Sequence, residues 1–198
     1  MNRFVVQIID LWTRWTVRLM LSFLWAAASL FVVTGGAATV ALVVGARRAD
    51  DGYGAAAAAF ARAFGRNLVP GFLVGLPVLL CTAVTWLDVG ALAHFSNFTL
   101  TVLYAGLLVA GDVVVTGCAA NGLARLAQSE RPPAARQLAG YMCKGWLYKP
   151  WPTLGTVVLW GFCALLTGLS VTVGWTAPAV LCDGLIVLWS VGALGDKR

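Results

Sequence analysis

The sequence predicts an all-α integral membrane protein: a bundle of about five transmembrane helices with short interfacial and cytoplasmic helices. Three observations predict it. Between Arg18 and Arg47 the chain runs 28 residues without one charged side chain. Further long apolar segments follow. The composition is 60% hydrophobic and 11% charged, with a mean hydropathy of +0.84. A water-soluble domain carries roughly 25% charged residues, so there are too few charges here to cover a soluble surface. Backbone in hydrocarbon must satisfy its own hydrogen bonds, and long apolar stretches do so as helices. The 198 residues leave no room for a separate soluble domain beside such a bundle. Residues 1–198 are therefore read as one membrane domain.

Residues 2–18 alternate apolar and polar at helical spacing. Phe4, Ile8, Leu11, Trp12 and Trp15 share one face, and Arg3, Asp10, Arg14 and Arg18 are polar. An interfacial helix with tryptophans at headgroup depth is expected. The apolar run that follows is too long for the hydrophobic part of a signal peptide, which is roughly 7–15 residues.

The first span is placed at about 19–45. Gly35 and Gly36 interrupt it, since adjacent glycines weaken a helix and open a kink. Ala37, Ala41 and Gly45 then offer a small-residue packing face. Residues 46–66 are polar, with an alanine-rich helix inside them. Its Phe60 and Phe64, four residues apart, are expected to face the membrane surface or a partner.

The second span is placed at about 68–87, with Pro70 in its first turn, Pro77 as a kink, and Gly71 and Gly75 in a GxxxG pattern. Asp88 to Asn97 is read as a short connection. The third span, about 98–123, contains Asp112. Residues 124–150 form the main hydrophilic stretch, broken by Pro132-Pro133, with a helix from Ala134 to Leu147 whose apolar positions are Leu138, Tyr141, Met142 and Leu147. Lys149-Pro150-Trp151-Pro152 leads stiffly into the fourth span, about 153–173. A tight turn precedes the fifth, about 177–194, which contains Asp183.

The net charge of +6 sits in particular places. Residues 46–66 hold four Arg, residues 124–150 hold five Lys or Arg, and the connections at 88–97 and 173–176 hold none. Cationic loops stay in the cytoplasm. Segments 46–66 and 124–150 and the C-terminus are therefore expected inside. Arg3, Arg14 and Arg18 conflict with that if the first segment spans. If it is re-entrant at Gly35-Gly36, all 14 basic residues lie on one side. As one helix the segment is about 40 Å long, enough to cross with tilt, and spanning is the simpler assumption.

Little in the chain points to chemistry. Asp112 lies near the middle of its span, where an ionisable group costs roughly 2.5–3.5 kcal/mol. It reads as a buried carboxyl bonded to nearby Thr, Asn or backbone, or as part of a proton or ion path. Asp183 reads the same way, nearer the outer face. The lone histidine, His94, is an ordinary connection residue. The five cysteines form no CxxC pair and are read as reduced packing residues. No nucleotide-binding, metalloprotease, hydrolase or paired-acid pattern is present. The expectation is a non-enzyme with no cofactor, no metal and no nucleic-acid partner.

The order of features resembles the YesL-like bacterial membrane proteins, the family of domain of unknown function 624. Asp10-Leu11-Trp12 precedes a long first segment with a central break at Thr34-Gly35-Gly36. Phe60-Ala61-Arg62-Ala63-Phe64 matches a short basic helix with spaced phenylalanines. Lys149-Pro150-Trp151-Pro152-Thr153 matches a proline that ends a cytoplasmic helix before an apolar hairpin. Gly35-Gly36 stands where that family often has a proline. The resemblance implies an accessory membrane component of a carbohydrate ABC importer in the cytoplasmic membrane of a Gram-positive bacterium. Its partners would be the permease and ATPase subunits. Phe60, Phe64, Tyr141, Trp146 and Trp151 are the candidate docking residues. A stand-alone transporter or channel, with Asp112 in a polar path, is the alternative.

Overall fold

The computed structural model describes residues 3–29, 34–92 and 98–173, together with Gly184, Ile186 and Val187. The described residues are all helical, with no strand among them. Seven α-helices follow in order: α1 Arg3–Ser29, α2 Gly35–Ala46, α3 Tyr53–Arg66, α4 Leu68–Leu92, α5 Phe98–Gln128, α6 Ala135–Tyr148 and α7 Pro150–Val173. A single 3-10 turn, Ala49–Asp51, lies between α2 and α3.

At the centre is α2. Its sequence is apolar all round, and a helix without a polar face has to be enclosed. Ala37 to Val43 and Gly45 are buried, and α1, α3, α4 and α5 all pack against it. Twelve residues make about 18 Å of helix, too short to cross a bilayer and long enough to serve as a core.

Small residues let the backbones close on α2. Gly36 lies against the backbone of Gly71 on α4, and a Cβ at Gly71 would sit 2.6 Å from the Ala37 nitrogen. At the other end, a Cβ on Gly45 would meet the Ala56 carbonyl oxygen at 3.2 Å and the Phe60 Cβ at 3.3 Å. Of the GxxxG pair, Gly71 is the contact residue. Gly75 has nothing within 4 Å of where its Cβ would lie.

The first apolar segment is not one helix. The interfacial stretch and the first half of the segment form one continuous helix, α1, and the chain then folds back into α2. Trp25 Nε1 donates to Thr39 Oγ1 at 3.2 Å, and Leu21 lies against Gly45. Arg14 reaches Asp50 at 2.9 Å, and the Thr16 and Tyr53 hydroxyls share a hydrogen bond. The residues before and after the segment therefore meet. The segment is therefore two packed helices, α1 and α2, and not one helix of about 40 Å. The Arg14–Asp50 pair is exposed and adds little stability by itself. Its value is in showing where the chain returns.

Gly52 joins the 3-10 turn to α3 at φ 94, a conformation that costs glycine nothing and L residues a good deal. Running antiparallel to α2, α3 buries Ala56, Ala59, Phe60 and Ala63 against it. Asn67 then turns α3 into α4. Its side-chain amide donates to the Ala63 carbonyl at 2.8 Å, and its own carbonyl accepts from the Gly71 N–H at 2.8 Å. A fully buried asparagine is tolerated because these bonds satisfy it.

Helices α4 and α5 form an antiparallel pair. Val74 packs on Gly122 near one end and Asp88 bonds Tyr104 near the other. Pro77 lies within α4 without ending it. The helix continues to Leu92, so Asp88 belongs to the helix and not to a connection. The base of the pair is sealed by the core around α2. Asn67, Gly71 and Val74 are buried on the α4 side, and Gly117 to Ala127 supply most of the burial on the α5 side. Beyond the core, both helices have outward faces that are exposed among the described residues. They are the helices among the described residues that are long and apolar enough to cross a membrane, with mean hydropathies of 2.1 and 2.0. Only 11% of the apolar window in α4 is buried, and none of that in α5. A helix in the core of a soluble protein would be covered instead.

Arginines bind the end of α5 and the residues just past it. The last four carbonyls of a helix lack partners and carry its negative pole. Arg47 donates to the Ala127 carbonyl at 3.0 Å, and Arg66 to those of Ser129 and Glu130. Most of the fifth expected span, including Asp183, lies outside the described residues. Of its described residues, Gly184 lies against Ser22 of α1, and Val187 is buried.

The two glycines of α4 make a paired test. Gly71→Leu drives a side chain into the α2 backbone and should cost about 1–3 kcal/mol, read as a lower midpoint of thermal unfolding in detergent. Gly75→Leu, in open space, should leave the midpoint nearly unchanged.

Candidate functional site

The polar groups of the apolar pair face each other. On α4, Cys81, Thr85 and Asp88 recur at four- and three-residue spacing, which is one helix face. On α5, Tyr104 and Asp112 are eight residues apart, also one face. Thr85 Oγ1 donates to Asp112 Oδ2 at 2.9 Å. Tyr104 donates its hydroxyl proton to Asp88 Oδ2 at 2.9 Å. The Cys81 thiol adjoins the same Asp112 carboxyl. Each carboxyl in the pair thus has a hydroxyl donor on the opposite helix. Asp112 is half-buried and bonded to a threonine, as expected for a carboxyl held in helix–helix packing. The Asp88–Tyr104 pair is missed from sequence because Asp88 is assigned there to a connection, whereas α4 runs on to Leu92. The helical spacing from Cys81 through Thr85 to Asp88 was the available signal.

A second polar cluster joins α5, α6 and α7. With α6 lying antiparallel on α5, Met142 meets Gly122, Gly145 meets Asn121 and Trp146 meets Gly117. Asn121 Nδ2 donates to the Gly117 carbonyl at 2.9 Å and to Thr153 Oγ1 of α7 at 3.1 Å. The Thr153 hydroxyl in turn donates to the Lys149 carbonyl at 2.7 Å. Thr153 is fully buried, and these two bonds satisfy it. Lys149 leaves the helical conformation, and α7 starts at Pro150, where a missing N–H costs nothing.

The candidate docking residues divide. Phe60 is 6% exposed and faces α2, and Phe64 stacks on it with ring centroids 6.3 Å apart. The expectation that they face a partner is corrected. In this alanine-rich helix Phe60 packs on Gly45 of α2, and the half-buried Phe64 packs on Phe60. Trp146 is half-buried and donates Nε1–H to the Val114 carbonyl at 3.1 Å. Tyr141 is half exposed, with the Arg125 guanidinium 4.6 Å above its ring. Trp151 is 80% exposed, beside the equally exposed Leu147 and Tyr148. At the predicted helix break, Gly35 begins α2 in open space and Gly36 makes the contact with α4. Among the described residues no three His, Cys, Asp or Glu cluster as metal ligands, and Cys81, Cys118 and Cys143 are free thiols.

No protein-family model, curated protein or solved structure matches this chain. Its function has to be argued from its own geometry.

The hydroxyl–carboxyl pairs set a measurable expectation. Interhelical hydrogen bonds inside a membrane contribute on average about 0.6 kcal/mol and at most about 1.7. Thr85→Val should lower unfolding stability in detergent by an amount in that range, and Thr85→Ser should restore most of it. Equal stability of wild type and Thr85→Val would show that the bond contributes nothing.

Proposed function

We propose that the chain is a non-catalytic accessory subunit embedded in a bacterial cytoplasmic membrane. The observation that carries the membrane placement is the apolar surface that α4 and α5 leave uncovered beyond the core among the described residues. In water that surface would drive aggregation, and in lipid it needs no cover. The α4–α5 pair would cross the bilayer, with the core around α2 at its cytoplasmic base. The fold-back of α1 on α2 supports a re-entrant first segment. The N-terminal arginines then join those of residues 46–66, and all basic loops fall on the cytoplasmic side, as cationic loops prefer. With the segments at 153–173 and 177–194 also crossing, the bundle has four crossings, and both termini are cytoplasmic.

Docking would use surface that the fold leaves uncovered. Leu147, Tyr148 and Trp151 are largely exposed at the joint between α6 and α7, and aromatic anchors of this kind dominate protein interfaces. The resemblance to YesL-like proteins makes the partners a carbohydrate ABC permease and its ATPase. A second reading, a small transporter or channel, is favoured by one observation: Cys81, Thr85, Asp88, Tyr104 and Asp112 form a polar stripe between two apolar helices.

Affinity purification from native membranes in mild detergent separates the readings. An accessory subunit brings down permease and ATPase, and Trp151→Ser should lower their recovery several-fold while leaving extraction of the chain itself unchanged. A chain recovered alone, which after reconstitution moves a solute in a manner abolished by Asp112→Asn, would contradict the accessory role.

A further inference from the structure

Four arginines from two helix regions line one cavity. Arg47 and Arg48 follow the end of α2. Arg62 and Arg66 lie one turn apart on α3, on a single face. With the last turn of α5 and the residues after it, Ala127 to Glu130, they line an open cavity of about 600 Å³ together with the apolar Val44, Ala59 and Ala63. Like charges on one face repel, so such a ring needs compensation.

Part of that compensation is internal. Arg47 spends a donor on the Ala127 carbonyl in the last turn of α5, and Arg66 spends donors on the Ser129 and Glu130 carbonyls just past it. Arg48 reaches Asp51 at 3.1 Å in an exposed pair. Arg62 bonds only its own helix, through Nε to the Ala58 carbonyl at 3.2 Å. Its terminal nitrogens meet no acceptor among the described residues. Glu130, which also lines the cavity, forms no ion pair with any of the four among the described residues. Each guanidinium carries five N–H donors, so most of the donor capacity around this cavity is unspent.

We propose that the cavity binds a phosphate-bearing anion, with Arg48 and Arg62 as its principal ligands and Arg47 and Arg66 as supporting charge. Planar guanidinium forks match phosphate oxygens in pairs. The apolar part of the lining disfavours a free carboxylate-rich peptide and leaves room for a compact headgroup. The place in the fold points the same way. Arg66 stands two residues before α4 begins, and Ala127 is one residue before α5 ends. If the pair crosses a bilayer, the cavity opens where headgroups lie, and basic pockets at that depth take anionic lipid. That lipid source rests on the membrane reading. A free phosphate monoester does not.

The test uses the full chain in phosphatidylcholine nanodiscs. Phosphatidylglycerol or cardiolipin is added to one set, and inorganic phosphate or glycerol phosphate, at matched ionic strength, to another. Thermal unfolding and native mass spectrometry report binding. The expected result is stabilisation by at least one phosphate-bearing species. Affinity should fall about tenfold or more in Arg48→Gln/Arg62→Gln and stay unchanged in Arg136→Gln on exposed α6. Stabilisation by lipid alone assigns a headgroup, and stabilisation by free phosphate assigns a soluble ligand. No stabilisation of the wild type, or a double variant that binds as the wild type does, overturns the site. If the double variant aggregates, a salt titration of the wild type decides. Binding should weaken steeply between about 50 and 500 mM salt, and salt-insensitive binding overturns the proposal. A chain that proves monodisperse without lipid or detergent refutes the membrane reading, while the phosphate arm, run in plain buffer, still tests the cavity.

Discussion

Everything in this structure depends on enclosing α2. A 12-residue helix with no polar face cannot stand in water and is too short to cross a bilayer, so it must be wrapped. Four helices do the wrapping, and two glycine contacts set how close they come. Gly36 against Gly71 fixes the base of α4. Gly45 against Ala56 and Phe60 fixes α3, with Leu21 of α1 on the same spot. Dispersion between closely approaching backbones is short-ranged, and here it does not need long side chains. The fold-back of α1, the turn at Asn67 and the arginine contacts at the end of α5 all follow from holding that helix in place.

The same constraint divides the molecule into two environments. Around α2 lies a packed base of small apolar residues, closed by arginines and buried amides. Beyond it extend two helices whose outer faces are exposed among the described residues and whose carboxyls Asp88 and Asp112 are bonded across the pair. Thr85 with Asp112 and Tyr104 with Asp88 consume the polar groups that hydrocarbon would penalise. They also fix how the helices are paired, since a displaced register would leave two carboxyls without donors. The pairing is thus specific even where the surrounding contacts are only apolar.

Much of this was readable in the residues. Uncharged length located α4 and α5. Pro70, Pro132-Pro133 and Pro150 marked helix ends by removing a donor or fixing φ; of the four apolar positions expected on α6, Leu138 and Met142 pack inward while Tyr141 and Leu147 are exposed. The small residues after Gly36 announced close packing. What failed needed tertiary knowledge. An uncharged run of 28 residues fits one crossing as well as a fold-back. Contacts across the segment separate the two: Trp25 with Thr39, Leu21 with Gly45, Thr16 with Tyr53, and Arg14 with Asp50, 36 positions apart. Phe60 and Phe64 showed an apolar face but not its partner, and α2 proved to be that partner. The arginines of residues 46–66 were read for sidedness alone. Nothing in their spacing reveals that the end of α5 joins them in lining a cavity.

The central claim is that the outer faces of α4 and α5 contact lipid. Spin labels at single cysteines replacing Leu80, Leu103 and Leu107, each well exposed, test it in reconstituted vesicles. Collision with oxygen should be frequent and collision with a water-soluble nickel chelate rare at all three positions, with the reverse at a label replacing Gln128 at the base. Ready access of the chelate to all three leucine positions would place the helices in water and contradict the account.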